Sequence, residues 1–310
     1  MQFSITILGS NSALPTANRY PSAQIVNVNE QIYLVDCGEG TQMQLRKNKI
    51  SFAKINNIFI SHLHGDHCFG LIGLISTFSL LARKKDLNIF AHKDLKKLLM
   101  PQINYFCTDI SFKINFHEIN PDIHLVIFQD KNTTVSTIPL NHRISTCGFL
   151  FRETEKPLHL VKEMIDFYHI PIKELKEIKE GANFLTSDGK IIANSRLTKP
   201  PAHPRSYAYC SDTGYEESIV PIIKDIDLLY HEATFLSDKK DCPENLYHST
   251  AENAAQIAAK ANVKKLLLGH FSTRYKDLTQ FVKEAEKIFP HVEIAWEGRV
   301  FNISALQSQI

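Results

Sequence analysis

The chain has 310 residues, 44% of them hydrophobic and 22% charged, with a formal net charge of +2 at pH 7. This length and composition allow a sizeable core in one or two domains. No apolar run reaches the ~18 residues that a bilayer-spanning helix needs, which excludes a membrane protein. A charge this close to neutral neither requires nor excludes a nucleic-acid partner. The six cysteines form no CxxC pair, which favours reduced thiols and a cytoplasmic location.

Short apolar strands alternate with helices along the chain. The N-terminal stretch MQFSITILGS alternates apolar and polar residues and predicts a strand, not a signal peptide. The strands predicted after it are QIYLVD, NNIFIS, LNIFAH, HLVIFQ, TTVSTIPL, SYAYCSD, IDLLYHEATF and VKKLLLGH. The predicted helices are FGLIGLISTFSLLA, Thr250–Ala261 and Asp277–Phe289. This alternation indicates an α/β fold.

Polar side chains follow six of these strands at or near their C-terminal ends. They are Asp36, His62, His142, Asp212, His231 and His270. Ligands bind at such ends, because the sheet fixes the strand while the loop after it carries the side chain. One such residue alone is incidental, whereas six predict that several strands converge on one site.

The stretch HLHGDH, residues 62–67, is the densest group of candidate metal ligands. Its first two histidines can point the same way while the segment stays extended, and Gly65 permits a tight turn. The aspartate and the last histidine then open a helix, turned toward a second metal position. Imidazole with carboxylate suits zinc best, and manganese, iron and cobalt are alternatives. A histidine-rich surface loop or a single structural zinc is the other interpretation, although structural zinc favours a cysteine-rich set that Cys68 alone does not supply.

A two-metal site needs more ligands than this loop offers, and other strand ends can supply them. The predicted ligands of the first metal are His62, His64 and His142. The predicted ligands of the second metal are Asp66, His67 and His270. Asp212 would bridge both metals, because a carboxylate has two oxygens with lone pairs in separate directions. Spacing alone does not select the last three strand-end residues from the other histidines and acids.

The motifs resemble those of a known family. HLHGDH resembles the HxHxDH signature of the metallo-β-lactamase superfamily. The chain is similar to ribonuclease Z, the endonuclease that matures tRNA 3′ ends, in VDCGEGTQMQL, SHLHGDHCFGL, NHR, YCSDT, HEATF, HST and GHFSTRY, in this order. These motifs extend from Asp36 to Tyr275. The resemblance implies an αββα metallo-β-lactamase sandwich, a homodimer and precursor tRNA as substrate.

The resemblance also implies a mechanism with two Zn²⁺ ions per chain, or Mn²⁺ or another divalent metal. A metal-bound hydroxide would attack the phosphodiester and release the trailer with a 5′-phosphate, leaving a 3′-hydroxyl on the tRNA. Asp66 would orient the water or accept its proton, and His248 would protonate the departing 3′ oxygen. Glu232 would hold His248 in one tautomer and raise its pKa. Arg274 would bind a substrate phosphate through its planar guanidinium.

Each of these residues also has a plain structural interpretation. His248 precedes a helix-capping pattern and can be an exposed histidine at a helix start. Glu232 can be a member of a structural pair, and Arg274 can be a solvated arginine. Composition alone would allow Asp36 as a metal ligand, whereas the family implies a structural carboxylate near the site.

Residues 152–199 correspond in the family to a protruding arm that grips the tRNA elbow. The family's Gly-Pro-rich tip is replaced here by IPIKELKEIKEGANF. Apolar, basic and acidic residues each recur every three positions in it, so that one helix would carry three stripes. The basic stripe is Lys173, Lys176 and Lys179. It can contact phosphates, or it can be a solvated helix face, because the adjacent glutamates weaken long-range attraction.

Two other functions fit parts of the pattern. A small-molecule phosphodiesterase or other hydrolase of the same superfamily would use the same metals but would not need a distant arm. A non-catalytic RNA-binding scaffold would have lost metal ligands, whereas all seven predicted positions are filled.

Overall fold

The computed structural model describes residues 2–107, 110–237 and 247–304. The chain divides into two compact units. We call Met1–Arg152 with Arg205–Ile303 the main unit, and Glu153–Pro204 with Ser304 the insert unit. Among the described residues, the helices are too short and too polar for any of them to cross a bilayer.

The first sheet of the main unit has seven strands. They are β1 (Phe3–Gly9), β2 (Ala23–Val28), β3 (Gln31–Val35), β4 (Ile55–Phe59), β5 (Leu87–His92), β6 (Ile114–Ile119) and β18 (Val300–Asn302). Their spatial order is β18-β1-β2-β3-β4-β5-β6. Because β3 and β4 are parallel, their C-terminal ends meet at one edge of the sheet, where Asp36 and the stretch HLHGDH follow them.

The second sheet also has seven strands. They are β7 (Val126–Gln129), β8 (Thr133–Leu140), β9 (Thr146–Glu153), β14 (Ser206–Cys210), β15 (Leu228–Glu232), β16 (Leu266–Gly269) and β17 (Val292–Ile294). Their spatial order is β17-β16-β15-β14-β9-β8-β7. The strands β14, β15 and β16 are parallel, so Asp212, Glu232 and His270 lie at one edge.

The two sheets pack face to face around an aromatic core. Phe59 of the first sheet lies 5.5 Å from Phe149 of the second, and Tyr33 lies 5.7 Å from Phe151, between ring centroids. The outer face of the first sheet is covered by α1 (Thr41–Lys47), α3 (Gly70–Leu80) and α4 (Asp94–Phe106). The outer face of the second is covered by α8 (Ala251–Lys260) and α9 (Thr279–Ala285). The short helix α2 (Gly65–Cys68) precedes α3. These layers confirm the predicted αββα sandwich.

The insert unit has short elements around a small core of its own. Its helices are α5 (Lys162–Phe167), α6 (Leu175–Lys179) and α7 (Asn194–Leu197). Its strands are β10 (His159–Leu160), β11 (Phe184–Leu185), β12 (Ile191–Ile192) and β13 (Thr198–Lys199), paired as β10-β13 and β11-β12. The buried apolar residues of this core are Ile170, Ile178, Ile192 and Leu197.

The single three-striped helix expected in the insert unit is not observed. A 3₁₀ turn, Ile172–Glu174, precedes the five-residue α6. Ile172 is 86% exposed, whereas Ile178 is buried. A repeat of three residues matches the 3₁₀ turn, but it drifts around an α-helix of 3.6 residues per turn. The apolar stripe therefore breaks, while all three lysines of the basic stripe are exposed.

Candidate metal centre

Two groups of histidines and aspartates lie at the strand ends of both sheets. One group is His62, His64, His142 and Asp212, and the other is Asp66, His67, Asp212 and His270. The ligand atoms of each group lie within 4.8 Å of one another. The structure thus brings together all seven residues that the sequence analysis named as metal ligands.

Asp212 belongs to both groups through different oxygens. Its Oδ2 lies 3.6 Å from His62 Nε2 and 3.7 Å from His142 Nε2. Its Oδ1 lies 3.2 Å from His67 Nε2 and 3.1 Å from His270 Nε2. This is the arrangement that a bridging carboxylate requires.

Four of the five histidine rings are oriented by a contact at Nδ1, which leaves Nε2 toward the centre. The contacts are His62 with Ser61 Oγ (3.0 Å), His67 with Asp36 Oδ2 (2.7 Å), His142 with the Tyr247 carbonyl oxygen (2.8 Å) and His270 with Thr234 Oγ1 (2.9 Å). His64 is the exception, because its Nδ1 lies 3.0 Å from His62 Nε2 and faces the centre. Such contacts fix the tautomer and the orientation of a ligand.

Asp36 lies outside both ligand groups and holds one of the ligands. Its carboxylate faces His67 and accepts hydrogen bonds from the backbone and hydroxyl of Ser61 and from the Tyr209 hydroxyl. Its backbone has a φ of 55°, an uncommon conformation for a residue other than glycine. Because Tyr209 comes from β14 and Ser61 follows β4, the carboxylate ties both sheets to one ligand.

The chemistry of the donor set fits divalent cations. The Nε2 of His67 is buried and has no hydrogen-bond partner among the described residues. Burial alone would lower the pKa of His67, but Asp212, Asp66 and Asp36 raise it well above its usual range. Burial and the neighbouring His67 lower the pKa of His62, so its imidazole is neutral, as a metal ligand must be. In a tetrahedral zinc site with Zn–N of about 2.0 Å, ligand atoms lie about 3.3 Å apart, close to the spacings around Asp212.

His248 and Glu232 form a pair beside the two groups. Glu232 is fully buried at the end of β15, and its Oε1 lies 2.7 Å from His248 Nδ1. The same carboxylate accepts hydrogen bonds from the backbone N–H groups of Thr213 and Thr234 and from the Thr234 hydroxyl. Burial opposes protonation of His248, but Glu232 more than offsets it and raises the pKa of His248 to about 9. The imidazole is therefore protonated at neutral pH and oriented by a fixed carboxylate.

A cavity of about 470 Å³ opens above these residues. Its lining includes His64, Asp66, Asp212, His248, His270, Arg143 and Arg274. The Arg274 guanidinium lies 5.9 Å from the centre of the Phe235 ring. The cavity therefore joins both ligand groups, the predicted proton donor and two cations.

His231 does not belong to the centre. Its Nδ1 contacts the carbonyl oxygen of Glu232, and burial lowers the pKa of its imidazole. Successive side chains of a strand point to opposite faces. Since Glu232 faces the site, His231 next to it faces away. The lysines of the basic stripe belong to the insert unit.

Sequence reasoning missed a role for Arg143 and mistook the role of Gly65. Arg143 lies 3.4 Å from His64 Nε2, and its position directly after His142 was the available signal. Gly65 is the first residue of α2, and its φ is not positive. A Cβ there would collide with the ring of Phe69, so glycine makes room for that ring and not for a tight turn.

Comparisons with known proteins place the chain among enzymes with this architecture. The family model of the anti-Pycsar protein Apyc1 matches residues 3–155. Ribonuclease Z of Bacteroides thetaiotaomicron is 49% identical over 98% of this chain and 96% of its own length. Ribonuclease Z of Porphyromonas gingivalis is 46% identical, covering 93% of this chain and 94% of its own length.

Solved structures give the same picture. Human tRNase Z, short form (ELAC1), has a TM-score of 0.70 at 25% identity, covering 97% of this chain and 99% of that one. The metallo-β-lactamase fold protein YhfI of Bacillus subtilis has a TM-score of 0.67 at 22% identity, covering 97% and 100%. An αββα sandwich with paired His/Asp groups at its strand ends defines a metal-dependent hydrolase of the metallo-β-lactamase fold. Within that class, the relatives that match over nearly the full length show the family. The chain belongs to the ribonuclease Z family, as its motifs predicted.

Proposed function

We propose that the protein is a zinc-dependent endoribonuclease that removes the 3′ trailer from tRNA precursors. It would leave a 3′-hydroxyl on the tRNA and a 5′-phosphate on the trailer. The relatives named ribonuclease Z and the human tRNase Z structure support this substrate. The observation that carries the proposal is the meeting of seven metal-binding side chains with the His248–Glu232 pair at one cavity.

Two divalent cations would be held by the chain's own side chains. His62, His64 and His142 would hold one, and Asp66, His67 and His270 the other. Asp212 would hold both. When bound, such cations lower the pKa of a water molecule and offset charge on the phosphoryl oxygens.

Asp66 would orient the attacking water. Burial raises the pKa of its carboxyl, but His67 and His270 lower it well below its usual range. Asp66 is therefore ionised at neutral pH and can accept a hydrogen bond from the water that it orients.

His248 would protonate the departing 3′ oxygen of the tRNA. Its Nδ1 is engaged by Glu232, so Nε2 is the atom that can give a proton to the ribose oxygen. Glu232 acts through His248, by fixing its ring and favouring the protonated form. Arg274, which lines the same cavity, would bind a substrate phosphate.

The test is incubation of zinc-loaded protein with a precursor tRNA that carries a 3′ trailer. Cleavage at the junction, with the end groups given above, is the expected result. Hydrolysis of small phosphodiesters without tRNA cleavage would favour a small-molecule phosphodiesterase. Tight tRNA binding without cleavage would indicate a non-catalytic scaffold.

We also propose a cytoplasmic homodimer whose insert unit contacts the tRNA. Large apolar side chains are exposed on α1 and α4, which supports a self-association surface; they are Met43, Leu98, Tyr105 and Phe106. The five described cysteines are free thiols, as in a reducing compartment. Sedimentation of the zinc-loaded protein should give twice the mass of one chain, and a monomer at micromolar concentration would contradict the dimer.

A further inference from the structure

Phe69 is an aromatic side chain beside the metal centre that the chemistry above does not use. It is 70% exposed, although phenylalanine is more often buried. Its ring packs against Gly65, where a Cβ would collide with Cε2, Cζ and Cδ2 of the ring. Gly65 in turn lines the cavity above the metal centre. An open aromatic face is therefore held one residue away from that cavity.

Arg143 lines the same cavity, and its guanidinium is a cationic hydrogen-bond donor. Its guanidinium lies 3.4 Å from His64 Nε2. If His64 binds metal through Nδ1, its Nε2 carries the proton and cannot accept a hydrogen bond from an arginine. Within residues 2–107, 110–237 and 247–304, no carboxylate forms an ion pair with Arg143. Its donors are therefore available for a phosphate.

Phe69 and His248 contact different parts of the metal centre. The His248 ring lies 5.0 Å from that of His142 and 5.5 Å from that of His270, one from each ligand group. Gly65, on which Phe69 packs, stands in the chain between two other ligands, His64 and Asp66. His248 gives its proton to the 3′ oxygen, so the last tRNA nucleotide lies beside it. The nucleotide beyond the scissile phosphate then has Gly65 and Phe69 as its nearest free neighbours.

We propose that Phe69 and Arg143 form a binding site for the first nucleotide of the trailer. Phe69 stacks on the base, and Arg143 binds the phosphate that becomes the 5′ end of the released trailer. This inference rests on the proposed function and deepens it. Every base has a π-face, so stacking accepts any trailer sequence, as a processing enzyme with many precursors requires.

The first experiment removes the base instead of the protein's side chain. Two precursor tRNAs are compared that differ only in the first trailer nucleotide, which is intact or an abasic ribose. For the wild type, loss of the base should lower kcat/KM about fivefold or more, as expected for one stacked base. Phe69→Leu keeps an apolar contact with Gly65 but has no ring, so it should cut both precursors equally slowly. Phe69→Trp should restore the difference.

Trp296→Leu is the control. It removes an exposed ring, 44%, that lies outside the metal centre and outside the proposed self-association surface, and it should respond to the abasic substitution as the wild type does. An abasic effect of the same size in Phe69→Leu and in the wild type would overturn the stacking site. Failure of the wild type to cut the intact precursor at the junction would instead overturn the proposed function.

A second experiment tests Arg143 by binding alone. Trailer oligonucleotides with a 5′-phosphate or a 5′-hydroxyl compete for the zinc-loaded protein in a fluorescence anisotropy assay. The wild type should prefer the 5′-phosphate, and Arg143→Gln should reduce that preference about tenfold, the size expected for a charge-assisted contact. An unchanged preference would overturn the role of Arg143.

Discussion

The two oxygens of Asp212 face different ligand groups, so one side chain supports both predicted metals. We predict that Asp212→Ala loses metal from both positions and loses activity by far more than the 10–100-fold typical of residues that only support a ligand. Elemental analysis after loading with zinc should find two ions per wild-type chain and fewer in the variant. Asp94→Ala, at a partly exposed position on α4 outside both ligand groups, is the control. A variant that keeps most of its activity would contradict the bridging role.

His248 should matter most when the leaving group needs a proton. We predict that His248→Ala lowers kcat on precursor tRNA by about 10²–10⁴-fold, the usual contribution of a general acid. Hydrolysis of bis(p-nitrophenyl) phosphate should suffer less, because nitrophenolate leaves without protonation. Glu232→Gln should have a smaller effect of the same kind, since it acts through His248. Equal losses on both substrates would show that His248 is not the proton donor.

Glu297 gives a pH-dependent contribution to stability away from the ligands. Its Oε1 accepts hydrogen bonds from the backbone and hydroxyl of Ser10 and from the backbone of Tyr20. Burial raises its pKa above the ordinary 4.5, although these N–H groups oppose the shift. The protonated form is thus favoured in the folded state. Its contribution is fully present below pH 4.5 and is lost as the pH rises through the folded pKa.

We therefore predict that Glu297→Gln, whose Oε1 can keep the three hydrogen bonds, gains stability relative to the wild type as the pH rises from about 4 to 7. The measurement is the difference in Tm between the two proteins across that range. A difference independent of pH would contradict the raised pKa.

Local sequence patterns predicted the helices and strands whose position depends on nearby residues alone. The run TTVSTIPL coincides with β8, and the helix predicted over Thr250–Ala261 is observed as α8. Thr250 caps this helix in a capping box with Asn253, which stands three positions after it. The helix α4 was not predicted, and Pro101 lies in its interior, where a proline normally breaks a helix. Its buried residues Leu95, Leu99 and Ile103 hold it against the sheet.

The metal centre was predictable only in part for the same reason. The metal-binding pattern of HLHGDH can be recognised from the sequence, because it depends only on the spacing of residues 62–67. The other three ligand positions meet it only through sheet pairing, so spacing could not select them without the family resemblance. Arg143 lines the cavity and Phe69 packs on Gly65 of its lining, through contacts that no sequence period encodes.

The 3₁₀ turn and α6 of the insert unit expose three lysines that no metal motif includes. We predict that reversing Lys173, Lys176 and Lys179 to glutamate raises KM for precursor tRNA more than it lowers kcat. Each lost phosphate contact should also lower the magnitude of the log–log salt slope by about 0.7–0.9. Lys131→Glu, an exposed position in the main unit, is the control. Unchanged KM and salt slope would mean that the stripe is a solvated face.

For the whole molecule, the metal centre is a joint between the two sheets. Each ligand group takes two residues from the loop after β4 and two from strand ends of the second sheet. Metal that binds only the folded chain stabilises it by mass action, by about 2.7 kcal/mol at 100 times Kd. We predict that chelation lowers Tm and that zinc restores it. The Tm of Asp212→Ala should not respond to zinc in this way. A wild-type Tm that does not change on chelation would contradict a stabilising role of metal between the two sheets.

This joint also bears on whether one sheet could function without the other. Each seven-stranded sheet carries half of each ligand group, so neither sheet alone has a full set of ligands for either metal. Because β18 joins the first sheet after all strands of the second, the first sheet is not formed by one continuous part of the chain. The two sheets therefore form one functional unit, although each has the strand number of a domain in its own right.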